Sequence, residues 1–397
     1  MQIESYSCNM HKYIPRAIEA DLRHSLRVFP AVVLLGPRQC GKSTLVKKIS
    51  NSKASTAPLY LDLEDPREAA KLSDPFLFLE HNKKAQITFD EFQTQPHLFE
   101  VLKSHIDKNR RNGAFILLGS AALDLVQKSS ETLAGRVGYL ELTPFTHSEV
   151  KVDTKKDLKK HWMRGGYPDS YLAKTDADSS LWRESFIKTY LERDFHMMGF
   201  DLNPIQLRRF FTMCAHWHGQ ILNQSKLGES LGVSHTSIKK YLHLFEHTYT
   251  LRILAPWYKN SKKRLVKSPK MYIRDSGLFH QLLNIQNFNE LLSHPGIGSS
   301  WEGYVIENIL SSLKGWKASF FRDSNGSEMD LILEKGKKII AVECKASSVP
   351  TVEAGFWTAL KAVNASEAWI ISPIEDSYDL KKNIHVSGLK QFLQTYA

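Results

Sequence analysis

Glycine, lysine and hydroxyl side chains stand at a phosphate-cradling spacing in Gly36-Pro-Arg-Gln-Cys-Gly41-Lys42-Ser43, directly after the apolar run Ala31–Leu35. This is the G-x-x-x-x-G-K-[ST] pattern of a P-loop. Successive backbone N–H groups in such a loop form a concave nest for phosphate oxygens, and glycine allows the close approach. A helix starting near Lys42 adds the positive end of its dipole. Lys42 is expected to reach the β- and γ-phosphates of ATP, and the Ser43 hydroxyl to ligate Mg²⁺. Gly36, Pro37, Arg38, Gln39, Cys40, Gly41, Lys42, Ser43 and Thr44 are therefore the expected nucleotide contacts. A second pair of groups closes the strand-like run Gln86-Ile-Thr-Phe-Asp90-Glu91. Asp90 would hold Mg²⁺ through water, and Glu91 would polarise the water that attacks the γ-phosphate. Ser120, after Ala114-Phe-Ile-Leu-Leu-Gly119, has the place of a γ-phosphate sensor or of an N-cap for a helix over 121–128. Arg136 reads either as an arginine finger or as a surface ion-pair residue.

A third constellation lies near the other end, in Glu328-Met-Asp330-Leu-Ile-Leu-Glu-Lys-Gly-Lys-Lys-Ile-Ile-Ala-Val-Glu343-Cys-Lys345. With Gly336-Lys337 as a two-residue hairpin turn, Lys335 pairs with Lys338, Leu333 faces Ile340 and Leu331 faces Val342. Asp330 then lies opposite Glu343. Alternation puts Met329, Leu331, Leu333, Ile340, Val342 and Cys344 on one apolar face, and Asp330, Glu343 and Lys345 on the other. Like charges directly across a strand pair repel. A divalent cation would relieve Asp330 and Glu343, while Lys345 would orient a water or steady a phosphate.

These groups need elements to hold them. After the P-loop, Leu59–Leu63, Gln86–Glu91, Ala114–Ser120 and Gly138–Leu142 read as strands separated by helical stretches, the pattern of a parallel sheet. Helical periodicity predicts helices over Gln206–His218, Ser225–Leu231 and His235–His247, with a turn at Gly232-Val-Ser234. A hairpin over Tyr249–Leu254 and Met271–Ile273 completes a winged-helix outline. The formal charge of the 397-residue chain is +11, and Ser225–Lys270 alone carries ten Lys and Arg against Glu229 and Glu246. Such clustering is an electrostatic footprint for polyanions, DNA first. Lys239 and Lys240 would lie on the recognition helix, and Lys262, Lys263 and Arg264 on the wing. No run approaches 18 apolar residues, so no membrane span is expected. The start lacks the marks of a secretory signal, and four scattered cysteines suit a reducing cytoplasm.

The chain resembles the AAA+-type prokaryotic ATPases whose C-terminal domain of unknown function is itself similar to PD-(D/E)XK nucleases. The resemblance rests on Leu35–Thr44, Asp90-Glu-Phe-Gln93, Gly119-Ser120, Leu133-Ala-Gly-Arg136, Gly165-Gly-Tyr-Pro168 and Tyr190-Leu-Glu-Arg-Asp194. It implies a nucleotide-linked role for Arg136. It also implies a fourth nuclease-site acid, Glu302 in preference to Glu307, on the helix before the hairpin. A second Mg²⁺ or a Mn²⁺ would then sit among Glu302, Asp330 and Glu343, with Lys345 beside it as a catalytic residue.

The expected architecture is α/β, with three domains, a lead segment and a connector. A lead segment (1–24) precedes an AAA+-like P-loop parallel-sheet domain (25–150) and a helical connector (151–205). A winged helix (206–280) and a restriction-endonuclease-like α/β domain (281–397) follow. The expected function is a cytoplasmic Mg²⁺-dependent ATPase whose nucleotide state controls a nucleic-acid-binding module with metal-dependent nuclease capability. The alternative is an ATP-occupied switch without meaningful hydrolysis, acting on DNA or a protein partner through an inactive nuclease-like domain. A homo-oligomer is left open, because an arginine finger acting in trans requires one.

Overall fold

The computed structural model describes residues 13–50, 57–120, 133–195, 202–258 and 266–397. The chain divides into two units, Met1–Phe145 and Thr146–Ala397.

In the first unit five strands, β1 (Ala31–Leu35), β2 (Leu59–Asp62), β3 (Ile87–Asp90), β4 (Phe115–Gly119) and β5 (Val137–Glu141), form one sheet in the order β2-β3-β4-β1-β5. Every neighbouring pair is parallel. A parallel sheet needs both faces covered, which is why β1 and β4 read as unbroken apolar runs and are buried throughout. On one face Val32, Leu34, Ile116 and Leu118 pack with Leu22 of helix α1 (Glu19–Val28) and with Leu45, Val46 and Ile49 of α2 (Lys42–Ser50). Ile18 and Leu22, which precede the expected start of this domain, belong to that same cluster. Parallel strands bring their C-terminal ends to one edge, so Gly36, Asp90 and Ser120 arrive together.

The second unit begins with α3 (Lys155–Arg164), α4 (Pro168–Tyr171) and α5 (Asp176–Thr189). The turn between α3 and α4 has a definite purpose. Gly165 adopts φ +74°, a Cβ there would fall 2.2 Å from the Asp275 carboxylate, and the Gly166 N–H donates to Asp275 at 2.8 Å. Next come α6 (Pro204–His216), α7 (Gln224–Leu231) and α8 (His235–His247), then the antiparallel pair β6 (Leu251–Leu254) and β7 (Lys270–Ile273). Gly232, at φ +66°, ends α7, and Ser234 caps α8 by accepting from Ser237 N–H. These are the helices and strands that the periodicity predicts.

After α9 (Ser276–Leu282) and α10 (Phe288–Ser293), the long helix α11 (Ile297–Ser312) leads into a six-stranded sheet. Its strands are β8 (Lys317–Arg322), β9 (Glu328–Lys335), β10 (Lys338–Cys344), β11 (Glu367–Ile371), β12 (Ser377–Lys381) and β13 (Ile384–Ser387), in the order β12-β13-β11-β10-β9-β8. Helix α12 (Ala354–Val363) packs on one face, while α11 and α13 (Leu389–Tyr396) cover the other. Pairing of β9 with β10 is the expected one: Lys335 opposite Lys338, Leu333 opposite Ile340, Leu331 opposite Val342.

The expected alternation fails at Met329. The register between β8 and β9 shifts between Ser319 and Phe321, so one more residue of β9 than of β8 is used there. Such a bulge re-aims the side chains beyond it. Met329 accordingly packs with Ile332, Ala341 and Phe321, and not with Leu331 and Leu333. At the sheet's outer edges, the β8 backbone bonds to Ala255 and Trp257, while β12 is exposed at every residue and has a register shift between Asp379 and Lys381.

Candidate functional site

The P-loop takes its shape from residues that tolerate unusual backbone angles. Gly36 has φ +151°, Gln39 +58° and Gly41 +99°. A Cβ on Gly36 would fall 2.1 Å from the Leu142 carbonyl oxygen. The Cys40 side chain turns into the core, fully buried, and donates to Leu142 O at 3.5 Å, so this residue can offer a ligand only its backbone. Burial pushes its thiol pKa up. Lys42 Nζ donates to the carbonyls of Gly36 at 2.8 Å and Pro37 at 2.9 Å.

Ser43 Oγ donates to Asp90 Oδ2 at 2.7 Å, and Tyr60 OH donates to the same oxygen. Ser43 and Asp90 thus fit Mg²⁺: a hydroxyl and a carboxylate oxygen converge beside the loop, and hard cations take oxygen ligands. Glu91 sits in the left-handed region at φ +51°. Its Oε2 accepts from Ser120 Oγ at 3.1 Å and from Gln93 Nε2, and its Oε1 lies 3.8 Å from an Arg38 nitrogen. Arg38 also pairs with Glu64. Gln93, Tyr60 and Glu64 were given no site role from the sequence, although Gln93 closes the Asp90-Glu-Phe-Gln93 motif. The helix that Ser120 would cap lies outside the described residues.

Arg136 is not brought to this site. Its carbonyl accepts from Ala31 N–H at 3.1 Å, at the N-terminal ends of β1 and β5. The loop leaves the C-terminal end of β1, about 16 Å away at roughly 3.3 Å per residue. The guanidinium instead makes a two-pronged pair with Asp107, Nε to Oδ1 at 2.6 Å and Nη2 to Oδ2 at 3.0 Å. The reading of Arg136 as a nucleotide-linked arginine is corrected for this chain's own site.

In the second unit, Glu302, Asp330 and Glu343 line one cavity, and the first two stand beside a buried lysine. Lys270 Nζ lies 2.8 Å from Glu302 Oε1, 2.5 Å from Glu328 Oε1 and 3.6 Å from Asp330 Oδ1, with its side chain 2% exposed. Tyr272 OH donates to Glu302 Oε1 at 2.6 Å. Asp330 Oδ2 accepts from Cys344 N–H at 2.8 Å, and Lys345 Nζ sits 2.8 Å from Glu343 Oε1. Arg322 pairs with Glu328 at 3.0 Å. Glu343 Oε2 is buried without a hydrogen-bond partner. A cavity of about 630 Å³ opens here between the Gly219–Ile221 segment and these acids.

Burial, then the neighbouring Asp330 charge, pushes Glu302 up to about 7 and Glu343 up to about 8. Burial also raises Asp330. Burial would pull Lys270 down, but Glu302 and its neighbours outweigh it and hold the ammonium well above the ordinary lysine range.

Glu307, the other acid on α11, is engaged elsewhere. Arg252 holds it at 2.6 and 3.0 Å and Arg274 at 2.8 Å, and these charges outweigh burial to lower its pKa. Lys270 and Tyr272 were missed as site residues. Their signal was the period of two, which puts both on one side of β7.

The divalent cation implied for Glu302, Asp330 and Glu343 does not fit these residues as they stand. The Lys270 ammonium already neutralises Glu302 and lies within 3.6 Å of Asp330, and Lys345 holds one oxygen of Glu343. Among the described residues, no group of three or more His, Cys, Asp or Glu is arranged to hold a metal ion. Lys239 and Lys240 are exposed on α8 beside exposed His235 and Thr236, whereas Lys262, Lys263 and Arg264 lie outside the described residues.

Residues 28–151 match a family described as AAA domain. Residues 155–289 and 297–392 match two families described as domains of unknown function, DUF8612 and DUF4143. The chain is 37% identical over 380 residues to uncharacterized proteins of Mycobacterium tuberculosis (strain ATCC 25618 / H37Rv) and Mycobacterium bovis (strain ATCC BAA-935 / AF2122/97). The alignment covers 96% of this chain and 85% of each relative. The chain belongs to their family. Its N-terminal unit is of the AAA type, a class of ATP-binding ATPases, and ATP with Mg²⁺ is the ligand pair that class implies.

Among solved structures, a STAND-type signal transduction ATPase with a tetratricopeptide repeat sensor from Pyrococcus horikoshii aligns at TM-score 0.32 and 13% identity. The alignment spans 75% of this chain and 48% of that one. Drosophila ORC bound to DNA aligns at TM-score 0.29 and 12% identity, over 69% and 96%. Likenesses this low carry no argument. No helix among the described residues is long and apolar enough to cross a membrane.

Proposed function

We propose that the chain hydrolyses ATP in its N-terminal unit and that nucleotide occupancy governs how the second unit engages nucleic acid, DNA first. The observation that carries the hydrolase reading is the convergence of Lys42, the Ser43–Asp90 pair and the Ser120–Glu91 pair at one edge of the parallel sheet. Lys42 exchanges the Gly36 and Pro37 carbonyls for phosphate oxygens. Ser43 and Asp90 would hold Mg²⁺, which when bound supplies charge neutralisation at those oxygens. Glu91, turned by its left-handed backbone towards Ser120, orients water and takes its proton. Ser120 and Gln93 steady Glu91 in the meantime. Purified protein is expected to turn over ATP with Mg²⁺, and Lys42→Ala to lose nucleotide affinity; retained affinity overturns the reading. Glu91→Gln should bind ATP and lose at least a hundredfold in turnover.

A second reading, an ATP-occupied switch with little turnover, is favoured by the engagement of both Glu91 oxygens, by Ser120 and Gln93 on one side and Arg38 on the other. It predicts that Glu91→Gln changes nothing that ATP controls. The α6–α8 helices with β6 and β7 support a winged-helix reading, and Lys239 with Lys240 gives it a basic recognition face. The acids around Lys270 favour a nuclease-like sheet used for binding, not for cleavage. DNA incubated with the protein and Mg²⁺ should remain intact on a gel.

A further inference from the structure

We infer that Lys270 is the resident cation of Glu302, Glu328 and Asp330 in the second unit, supplying the positive charge that a divalent metal would bring to Glu302 and Asp330 and so keeping those two acids from one.

Three carboxylates converge on a single nitrogen: Glu302 from α11, and Glu328 with Asp330 from β9. An ammonium has three donors and no acceptor, and here it meets oxygens from two elements that are remote in sequence. The side chain is almost wholly removed from water. A surface ion pair is worth little, but a buried charge must find its counter-charge inside the fold. Lys270 therefore sits as an ion does in a coordination site. Mg²⁺ or Mn²⁺ would need the same carboxylate oxygens at close range, and two cations cannot share that point without severe repulsion.

The backbone that carries Lys270 is pinned. That residue pairs with Leu254 in the β6–β7 ladder, and it bridges to Ile221 on its other side. The backbone of Lys270 is thus fixed on both sides, and withdrawal of the ammonium would have to come from its side-chain torsions at the cost of its buried ion pairs. A second observation marks the cluster as built for more positive charge than one lysine gives. Glu343 Oε2 lies buried at the cavity wall, and no donor among the described residues reaches it. Lys345 serves only the other oxygen of that carboxylate. Removal of Lys270 would leave Glu302, Glu328 and Asp330 without their shared counter-charge, and a divalent cation is the small ion that could restore it once their oxygens close up.

The test titrates Mn²⁺ into full-length protein without nucleotide, reading heat of binding and the melting of the second unit. Wild-type protein is expected to show no Mn²⁺ binding that Glu302→Gln removes. Lys270→Met is expected to melt lower, to recover on adding Mn²⁺, and to bind Mn²⁺ at least tenfold tighter than wild type. Adding Glu302→Gln to that variant should abolish the gain. Mn²⁺ binding by wild type that Glu302→Gln abolishes overturns the inference, as does a folded Lys270→Met that gains none. Should Lys270→Met fail to fold, comparison of wild type with Glu302→Gln decides alone. Equal Mn²⁺ binding and melting shifts in those two proteins support the resident lysine, and a difference refutes it.

Discussion

At Gly36 the phosphate loop and the strand beyond it share a space that no side chain can enter. A Cβ there would come within 2.1 Å of Leu142 O, far inside contact distance, and the loop's φ of +151° is one that other residues rarely adopt. Gly36→Ala is therefore expected to lower the stability of the first unit by about 3 kcal/mol or more and to weaken ATP binding, read by thermal denaturation and by nucleotide titration. The P-loop residues were legible because phosphate binding constrains a contiguous run of sequence. Arg136 was not: its partner, Asp107, lies on another element, and only strand order shows that the arginine belongs to the far edge of the sheet. Lys270 was hidden for a similar reason. In sequence it is one basic residue among ten, and only the fold sets it against Glu302, Glu328 and Asp330.

Elements obey local rules more fully than single residues do. The β9–β10 pairing followed from one two-residue turn, because turn length fixes register. The bulge in β9 had no such signal, and it moved Met329 to the opposite packing layer. Helix α8 shows the same division of labour. Ile238, Tyr241, Leu242, Leu244 and Phe245 are buried, which leaves His235, Thr236, Lys239 and Lys240 on the outer side. Charge reversal at Lys239 and Lys240 should leave melting unchanged. It should weaken DNA binding across sequences and reduce the salt-dependence slope by about two, as phosphate contacts would. Binding measured at several salt concentrations checks this, and an unchanged slope argues against α8 as the contact face.

On the scale of the whole second unit, buried histidines make the fold sensitive to acid. Burial pulls His147, His218 and His280 each down to about 3. The His280 ring explains its own neutrality: Nδ1 donates to Met163 O, and Nε2 accepts from Ser300 Oγ. In the unfolded chain each ring takes up a proton below about pH 6.5, whereas the folded unit resists until far lower. The stabilisation from neutral burial is thus complete above pH 6.5 and drains away as pH falls towards 3. At pH 5 each histidine costs about 2 kcal/mol, and three together rival the net stability of a domain. Melting of the second unit should therefore fall steeply between pH 7 and pH 5, and a flat profile would contradict the neutral assignment. The two rims of the six-stranded sheet carry a different consequence. Open strand edges are templates for adding foreign strands. Here the Ala255 and Trp257 backbone takes both backbone groups of Phe320 and Val266 N–H donates to the Arg322 carbonyl of β8, while Asp379, Lys381 and a register shift make β12 a poor template. The six-stranded sheet is thereby guarded at both rims against the edge-to-edge aggregation that such sheets invite.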